Sequence, residues 1–445
     1  MTGADLDQLV DSRYGLITRV VRQPRPAGLP GTFEAYSAEV ADTRTYASWH
    51  ADPYAFGASL IDPQEARTAA IGEAVERYCG NAVPPDLLLA SYDQLVSDGA
   101  QALDPAALVL YSEEQYRQPG FPFLPFGRDL PVRWISSWDV ATGDEVLVPA
   151  SLVYLNYHQG RYGDEPRTHF MILPGIAAGP DLDHAVRRAC AELVERDAVT
   201  LWWQRGCSVT AVAPDGEGFP ATLLVTADDA PAPDYHLFRV PSDFGATVFG
   251  ALLDDRDSGV VSMGSACHPH PRVAAVKALT EALQLRAFSL DLLDPMSPVW
   301  REIQAGARNT GIVRPYRADR AYLEAGCADF SDVLDFAGHA QLYLDPRMRG
   351  QLTRILAPAQ HESLPAQNGT DPLDLLVGQG FQVLAVNLTT SDVTTAGCHV
   401  VRVIVPGLYP SAPAAFPFLG GSRLYHGPDG PLTGADLVLV PAPTL

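Results

Sequence analysis

The strongest constraint on the fold is a pattern that occurs three times: Ala70-x-x-Glu73-x-Val75-Glu76-Arg77, Ala189-x-x-Glu192-x-Val194-Glu195-Arg196 and Ala278-x-x-Glu281-x-Leu283-Gln284. Each copy lies in a stretch with helical signals. "IDPQEARTAAIGEAVERYC" has Asp62 as N-cap, Pro63 at the first helical position and Glu65 spaced to close a capping box. Ile71, Ala74 or Val75, and Tyr78 form its apolar stripe. "GPDLDHAVRRACAELVERDAVTLWW" predicts a second helix from near Pro180 and Asp181 towards Trp203, and "HPRVAAVKALTEALQLRAFSLDLL" a third, opened by Pro271. Residues three apart share a helix face, with Cβ atoms about 5–6 Å apart. Each helix therefore presents two oxygen-bearing side chains over a floor kept small by alanine, which another group could approach closely. In a single helix, Glu/Arg pairs usually mark a solvated, salt-bridged face. Three converging helices are different: four carboxylates plus Glu281 repel one another unless cations or protons compensate. Hard oxygen ligands suit Mg²⁺ that carries phosphates, and Arg77 and Arg196 would add charge-assisted contacts to phosphate oxygens.

Composition removes several function classes. The chain has 445 residues, 47% of them hydrophobic, with a formal net charge of -22. Lys277 is its only lysine. That excludes a Walker A loop, and the acidic balance argues against a nucleic-acid surface. There is neither a run of roughly 20 apolar residues nor a basic, apolar signal peptide, so the expected location is the cytoplasm, away from membranes. The six scattered cysteines (Cys79, Cys190, Cys207, Cys267, Cys327, Cys398) read as buried free thiols, and "CHPH" at 267–270 reads as a turn rather than a metal site. Strand-like runs lie between the helices: "LPVRWISSWDV", "EVLVPASLVYL", "ATLLVTA", "YHLFRV", "ATVFGALL", "FQVLAVNLTT" and "HVVRVIV". The mixture indicates an α/β or α+β fold with no regular βαβ rhythm and no readable strand order. "APAQHESLPAQNGTDP", residues 357–372, reads as a polar loop, and the tail from about 410 to 445 is rich in Pro and Gly. With no domain boundary visible, residues 1–445 are expected to form one domain.

In order and spacing these residues resemble the YcaO family, specifically the cyclodehydratases that modify ribosomally made peptides. Family members carry Ser-x-x-Glu-x-x-Glu-Arg, Glu-x-x-Glu-Arg and Glu-x-x-Gln-x-Arg motifs, which here read "AIGEAVER", "ELVERD" and "EALQLR". The likeness continues through "GIAAG", "CHPHPRVA", "NLTT" and "VVRVIVPGLYP". It implies a YcaO-type fold with a nucleotide site formed by convergent helices and no P-loop. It also implies that Glu73, Glu76, Glu192 and Glu195 hold Mg²⁺, with Arg77, Arg196, Glu281, Gln284 and Arg286 around the ATP. Arg286 lies off the Glu281/Gln284 stripe, and its inclusion rests on the resemblance alone; Lys277 reads as a helix salt-bridge partner. The chain departs from the family pattern at Ala70 (usually serine), Pro174 (usually asparagine) and His184 (usually acidic). Cyclodehydratases of the family often end in Pro-x-Pro-x-Pro near the active site; here the end is "VPAPTL", which gives Pro441, Pro443 and Leu445 as tail candidates for a catalytic role.

The chemistry implied is attack of a Cys, Ser or Thr side chain of a precursor peptide on the preceding carbonyl. ATP-dependent phosphorylation of the amide oxygen and elimination of phosphate then leave a thiazoline or oxazoline ring. An amide oxygen leaves poorly until phosphorylated, and no enzyme nucleophile is required. The domain-like residues begin almost at once, so a separate ThiF-like leader-binding partner is expected, with a flavin (FMN) dehydrogenase as a further partner if azoline is oxidised to azole; a homodimer is compatible. Rival readings are a thioamide- or amidine-forming member, a catalytically silent scaffold subunit, and an acidic α/β protein with three coincidental salt-bridged helices.

Overall fold

The computed structural model describes residues 5–213, 219–226, 228–306, 310–428 and 430–444. Three sheets carry the three long helices. Strands β1 (Ile17–Arg22), β2 (Glu34–Val40) and β3 (Tyr54–Ser59) form an antiparallel sheet in that order. The second sheet contains β4 (Leu88–Ala90), β5 (Val132–Asp139), β6 (Glu145–Pro149), β7 (Ile176–Gly179), β13 (Leu384–Asn387) and β14 (His399–Ile404). Its order is β4-β5-β13-β14-β7, with β6 pairing β5. The third sheet is built of β8 (Thr210–Ala213), β9 (Asp234–Arg239), β10 (Val248–Asp255), β11 (Val260–Cys267) and β12 (Gln360–Ser363), in the order β11-β10-β9-β8-β12.

Helix α1 (Pro63–Asn81) follows β3, α2 (Leu182–Gln204) follows β7 and α3 (Pro271–Leu293) follows β11. Each helix thus leaves a strand at the edge of its own sheet and packs back on that sheet. This strand–turn–helix unit, used three times, is the rhythm that the sequence did not display. It was hidden because β7 and β11, "IAAG" and "VVSMGSAC", are short on β-branched and charged alternation; β11 is buried along its full length. The expected alanine floors are fully buried: Ala70, Ala189 and Ala278 are 0% exposed. For two of them the group that approaches closely is a strand glycine. A Cβ on Gly57 would overlap the Ala70 amide nitrogen, and one on Gly264 would overlap the Ala278 carbonyl and the Ala282 amide. The small residues therefore set the helix–sheet distance and do not leave room for a ligand.

Several local expectations are corrected. Asp62 caps α1 by accepting from the Gln64 amide, but Glu65 does not close a capping box; it accepts from the Ser59 hydroxyl at 2.6 Å. "ATLLVTA" holds a short 3₁₀ turn, Ala221–Leu223, at the start of the predicted strand. "EVLVPASLVYL" changes from strand to a helical turn at Pro149, where proline ends the ladder. The loop at 357–372 contains β12, held by parallel pairing with β8. Cys207 is half-buried and Cys327 exposed, while the other four thiols are buried. "CHPH" forms the turn into α3, with the His270 amide donating to His268 Nδ1 at 3.0 Å. No helix among the described residues is long and apolar enough to cross a membrane.

The close strand–helix crossings generate a stability prediction. Gly264→Ala should cost about 2–3 kcal/mol, because the overlap is with backbone that cannot step aside. Gly350→Ala, whose Cβ would meet nothing within 4 Å, should stay within about 0.5 kcal/mol of the parent. Urea unfolding of both variants checks this, and equal midpoints would refute the packing argument.

Candidate nucleotide and metal site

Each motif glutamate accepts a hydrogen bond from a backbone amide at or beside an edge strand. On α1, Glu73 Oε2 accepts from the Phe56 amide on β3 at 3.2 Å. On α2, Glu192 Oε2 accepts from the Gly175 amide just before β7 at 3.0 Å. On α3, Glu281 Oε2 accepts from the Ser265 amide on β11 at 2.7 Å. These pairs lie 17, 17 and 16 residues apart, so the first glutamate of each helix closes on the strand of its own unit. The second glutamate reaches the next unit. Glu76 Oε1 accepts from the Ala178 amide on β7 at 2.7 Å, and Glu195 accepts from the Cys267 amide at 3.2 Å and the Ser265 hydroxyl at 2.7 Å. This alternation draws the three helices together and sets the predicted glutamates within electrostatic reach of one another, Glu76 with Glu73 and Glu192, and Glu195 with Glu192 and Glu281.

Cations are interleaved with them. Arg77 lies 3.3 Å from Glu73 and 3.8 Å from Asp52; Arg196 lies 3.3 Å from Glu281 and 3.7 Å from Glu195. Arg188, which the motif analysis missed, donates to the Ala178 carbonyl at 2.7 Å and stands 3.8 Å from Glu76. It lies one turn before Glu192, so its place on the same helix face was the available signal. Arg402 of β14 was also missed. It is 2% exposed, donates to the Ile172 and Leu173 carbonyls, and interacts electrostatically with Glu192. Lys277 is exposed, with no ion pair within 4 Å among the described residues; Glu195, Glu65 and Arg188 are its charged neighbours. Gln284 is half-buried on the stripe of Glu281. Arg286 is not brought to the carboxylates: it is buried against Asp255, with Nη2 at 2.6 Å from Oδ2, and its Nη1 donates to the Ala27 carbonyl.

The electrostatics are those of an under-compensated acidic cluster. Burial pushes the Glu76 carboxyl up to about 7, against the pull of Arg188 and the Ala178 amide, with Glu192 and Glu73 adding repulsion. Burial also pushes Glu195 up to about 7 despite Arg196, with Glu281 and Glu192 adding to the rise. Among the described residues no group of three or more His, Cys, Asp or Glu side chains is placed to hold a metal ion. The donor set fits Mg²⁺ nonetheless, since that ion usually takes one or two carboxylates and completes its shell with water and phosphate oxygens. Glu76 and Glu192 each keep one oxygen outside the amide bonds.

The C-terminal segment runs beside this centre. The Pro441 carbonyl accepts from the Tyr343 hydroxyl at 2.9 Å, the Val440 carbonyl from Trp203 Nε1 at 2.6 Å, and the Pro443 carbonyl from the Met263 amide on β11 at 2.8 Å. Met263 is two residues before Ser265 on the same strand edge, roughly 7 Å along it. Leu445 lies outside the described residues.

Known proteins resemble the chain in sequence and in fold. The family model described as "YcaO cyclodehydratase, ATP- and Mg²⁺-binding" matches residues 59–409. An uncharacterised protein of Methanothermobacter thermautotrophicus is 28% identical over 237 residues, covering 51% of this chain and 55% of that protein. Among solved structures, a heterocyclase in complex with substrate and cofactor superposes with a TM-score of 0.67 at 20% identity, covering 99% of this chain and 57% of that one. YcaO from Methanopyrus kandleri, bound with AMPPCP and Mg²⁺, gives 0.55 at 18% identity, covering 88% of this chain and 86% of that one. The chain thus spans little more than half the length of the first two of these relatives. The chain belongs to the YcaO family, whose description names ATP and Mg²⁺ as its ligands.

Proposed function

We propose that this chain activates a backbone amide of a ribosomally made peptide by ATP-dependent O-phosphorylation, giving thiazoline or oxazoline rings from Cys, Ser or Thr. The observation that carries the reading is the gathering of five carboxylates and three arginines from three helices onto the edges of three sheets. Such a cluster of like charges is costly unless cations or protons compensate it. Glu73, Glu76, Glu192 and Glu195 would hold Mg²⁺, which neutralises phosphate charge when bound. Arg77, Arg196, Glu281 and Gln284 would border the ATP, and Arg188 stands where a further phosphate contact is available. The role of Arg286 would be indirect: its buried pair with Asp255 anchors α3 to the end of β10.

The reaction needs positioning and charge stabilisation, which this site would supply. Pro441 and Pro443 would order the tail along β11, and a catalytic role for Leu445 remains part of the proposal. We take residues 1–445 as one domain, a reading supported by the packing of the tail against α2 and β11. A leader-binding ThiF-like protein and a flavin dehydrogenase are proposed partners, and the cytoplasm is the proposed location.

Product mass tests the reaction. Full-length chain, partner, ATP and Mg²⁺ incubated with Cys-, Ser- and Thr-rich peptides should remove one water per ring. In a parallel reaction supplied with sulfide, exchange of oxygen for sulfur would favour thioamide formation instead, and no ATP-dependent mass change in either would contradict catalysis.

The raised carboxyls predict the pH response. The folded chain holds the Glu76 and Glu195 protons above the pH at which an unfolded chain releases them, so this contribution favours folding near pH 5 and is lost as pH rises through 7. Without ligand, stability should fall by on the order of 2 kcal/mol between pH 5 and 8, and ATP with Mg²⁺ should restore it at pH 8. Glu76→Gln should melt no lower than the parent at pH 8 yet gain nothing from ATP and Mg²⁺. Thermal melts read both effects, and a ligand-induced rise retained in Glu76→Gln would remove this residue from the site.

A further inference from the structure

Three edge strands border the site, and on two of them outward amides are met by helix side chains or by the tail. On β7 the outward amide of Ala178 goes to Glu76 and its carbonyl to Arg188. On β11 the outward amides of Met263, Ser265 and Cys267 go to the Pro443 carbonyl, Glu281 and Glu195. The third, β3, is open. Its register with β2 pairs Ser37 with Phe56, and the Pro53 carbonyl accepts from the Val40 amide, so Tyr54 and Phe56 turn their backbone groups outward. Of these, only the Phe56 amide has a partner, Glu73; no hydrogen bond to the Tyr54 amide, the Tyr54 carbonyl or the Phe56 carbonyl is found among the described residues. The strand "YAFGAS" carries no charge and no proline, the usual devices against edge pairing. Tyr54 and Phe56 expose 38% and 41% of their surface, and Ile61 just beyond exposes 63%.

We infer that the free edge of β3 receives the substrate peptide as an added antiparallel strand, which delivers one of its carbonyl oxygens to Glu73. This rests on the reading of a peptide substrate above. Main-chain pairing is a general way to hold an extended peptide whatever its side chains. In an antiparallel ladder, the peptide residue opposite Tyr54 exchanges two hydrogen bonds with it. The peptide residue opposite Phe56 donates its N–H to the Phe56 carbonyl, but its own carbonyl meets an amide that Glu73 already occupies. That carbonyl is therefore the one in the added strand left without a sheet partner. It faces the Glu73 carboxylate and Arg77, which lies 3.3 Å from Glu73. Two oxygen acceptors facing each other need a cation or a shared donor between them, which Arg77 or a metal ion held by the carboxylates would supply. The edge thus selects which amide oxygen enters the site by leaving it unpaired.

The probe is a fluorescein-labelled extended hexapeptide, Thr-Val-Gly-Cys-Val-Thr, with two derivatives methylated on the backbone nitrogens of its odd or of its even residues. Titrated with the full chain, the parent peptide should bind. One methylated form should lose about tenfold in affinity, the loss expected for one or two backbone hydrogen bonds, while the other keeps it. Tyr54→Pro removes an outward donor at a position where edge strands tolerate proline, and should weaken the parent peptide by a similar factor. Titration of that variant with ATP and Mg²⁺ reports whether its site is intact. The inference is overturned if wild-type chain does not bind the peptide, if both methylated forms bind alike, or if an intact Tyr54→Pro chain binds as the wild type does. Peptide pairing that follows the expected pattern in a chain that fails to bind ATP and Mg²⁺ would support the edge site and contradict the nucleotide reading.

Discussion

The structure depends on one interaction repeated five times, a glutamate on a long helix accepting a backbone amide at or beside a sheet edge. Edge amides are obligatory donors, and an edge left unpaired invites association with other strands. Here the partners are side chains from helices. Because Glu73, Glu192 and Glu281 bind within their own units while Glu76 and Glu195 bind the next, the same bonds fix the three units relative to one another. The proposed ligand cluster and the structural fastening are therefore one set of residues. This explains how so much negative charge is kept in a partly buried place: each carboxylate has at least one strong donor, and arginines stand among them.

The sequence displayed the participants better than their architecture. The three Ala-x-x-Glu patterns placed the helices to within a residue or two, because caps such as Asp62 and Asp181 and prolines such as Pro63 and Pro271 act locally. What the alanines are for was misread. A small residue three before a glutamate looks the same whether it admits a ligand or a strand, and only the position of Gly57 and Gly264 on neighbouring strands decides for Ala70 and Ala278. Strands β7 and β11 escaped notice because full burial removes the alternation by which a half-buried strand is recognised.

Within the site, residues on the motif stripe were legible and those supplied by tertiary packing were not. Glu73, Glu76, Glu192, Glu195 and Glu281 could be named from spacing alone. Arg402 could not, since it arrives from β14, about 200 residues after Glu192, and reads in sequence as an ordinary charge in a strand. Ser265 likewise needed the crossing of α2 over β11 before its hydroxyl met Glu195. Arg286 shows the opposite case: its motif position points to the nucleotide, while its buried partner is Asp255.

The central claim is that these fastened carboxylates form an ATP site that depends on a divalent cation. Calorimetric titration of the full-length chain with ATP, with and without Mg²⁺, tests it most directly. The account predicts saturable binding that requires the metal and is abolished by chelation. ATP binding of equal strength without Mg²⁺, or none in its presence, would mean that the carboxylates serve the fold alone.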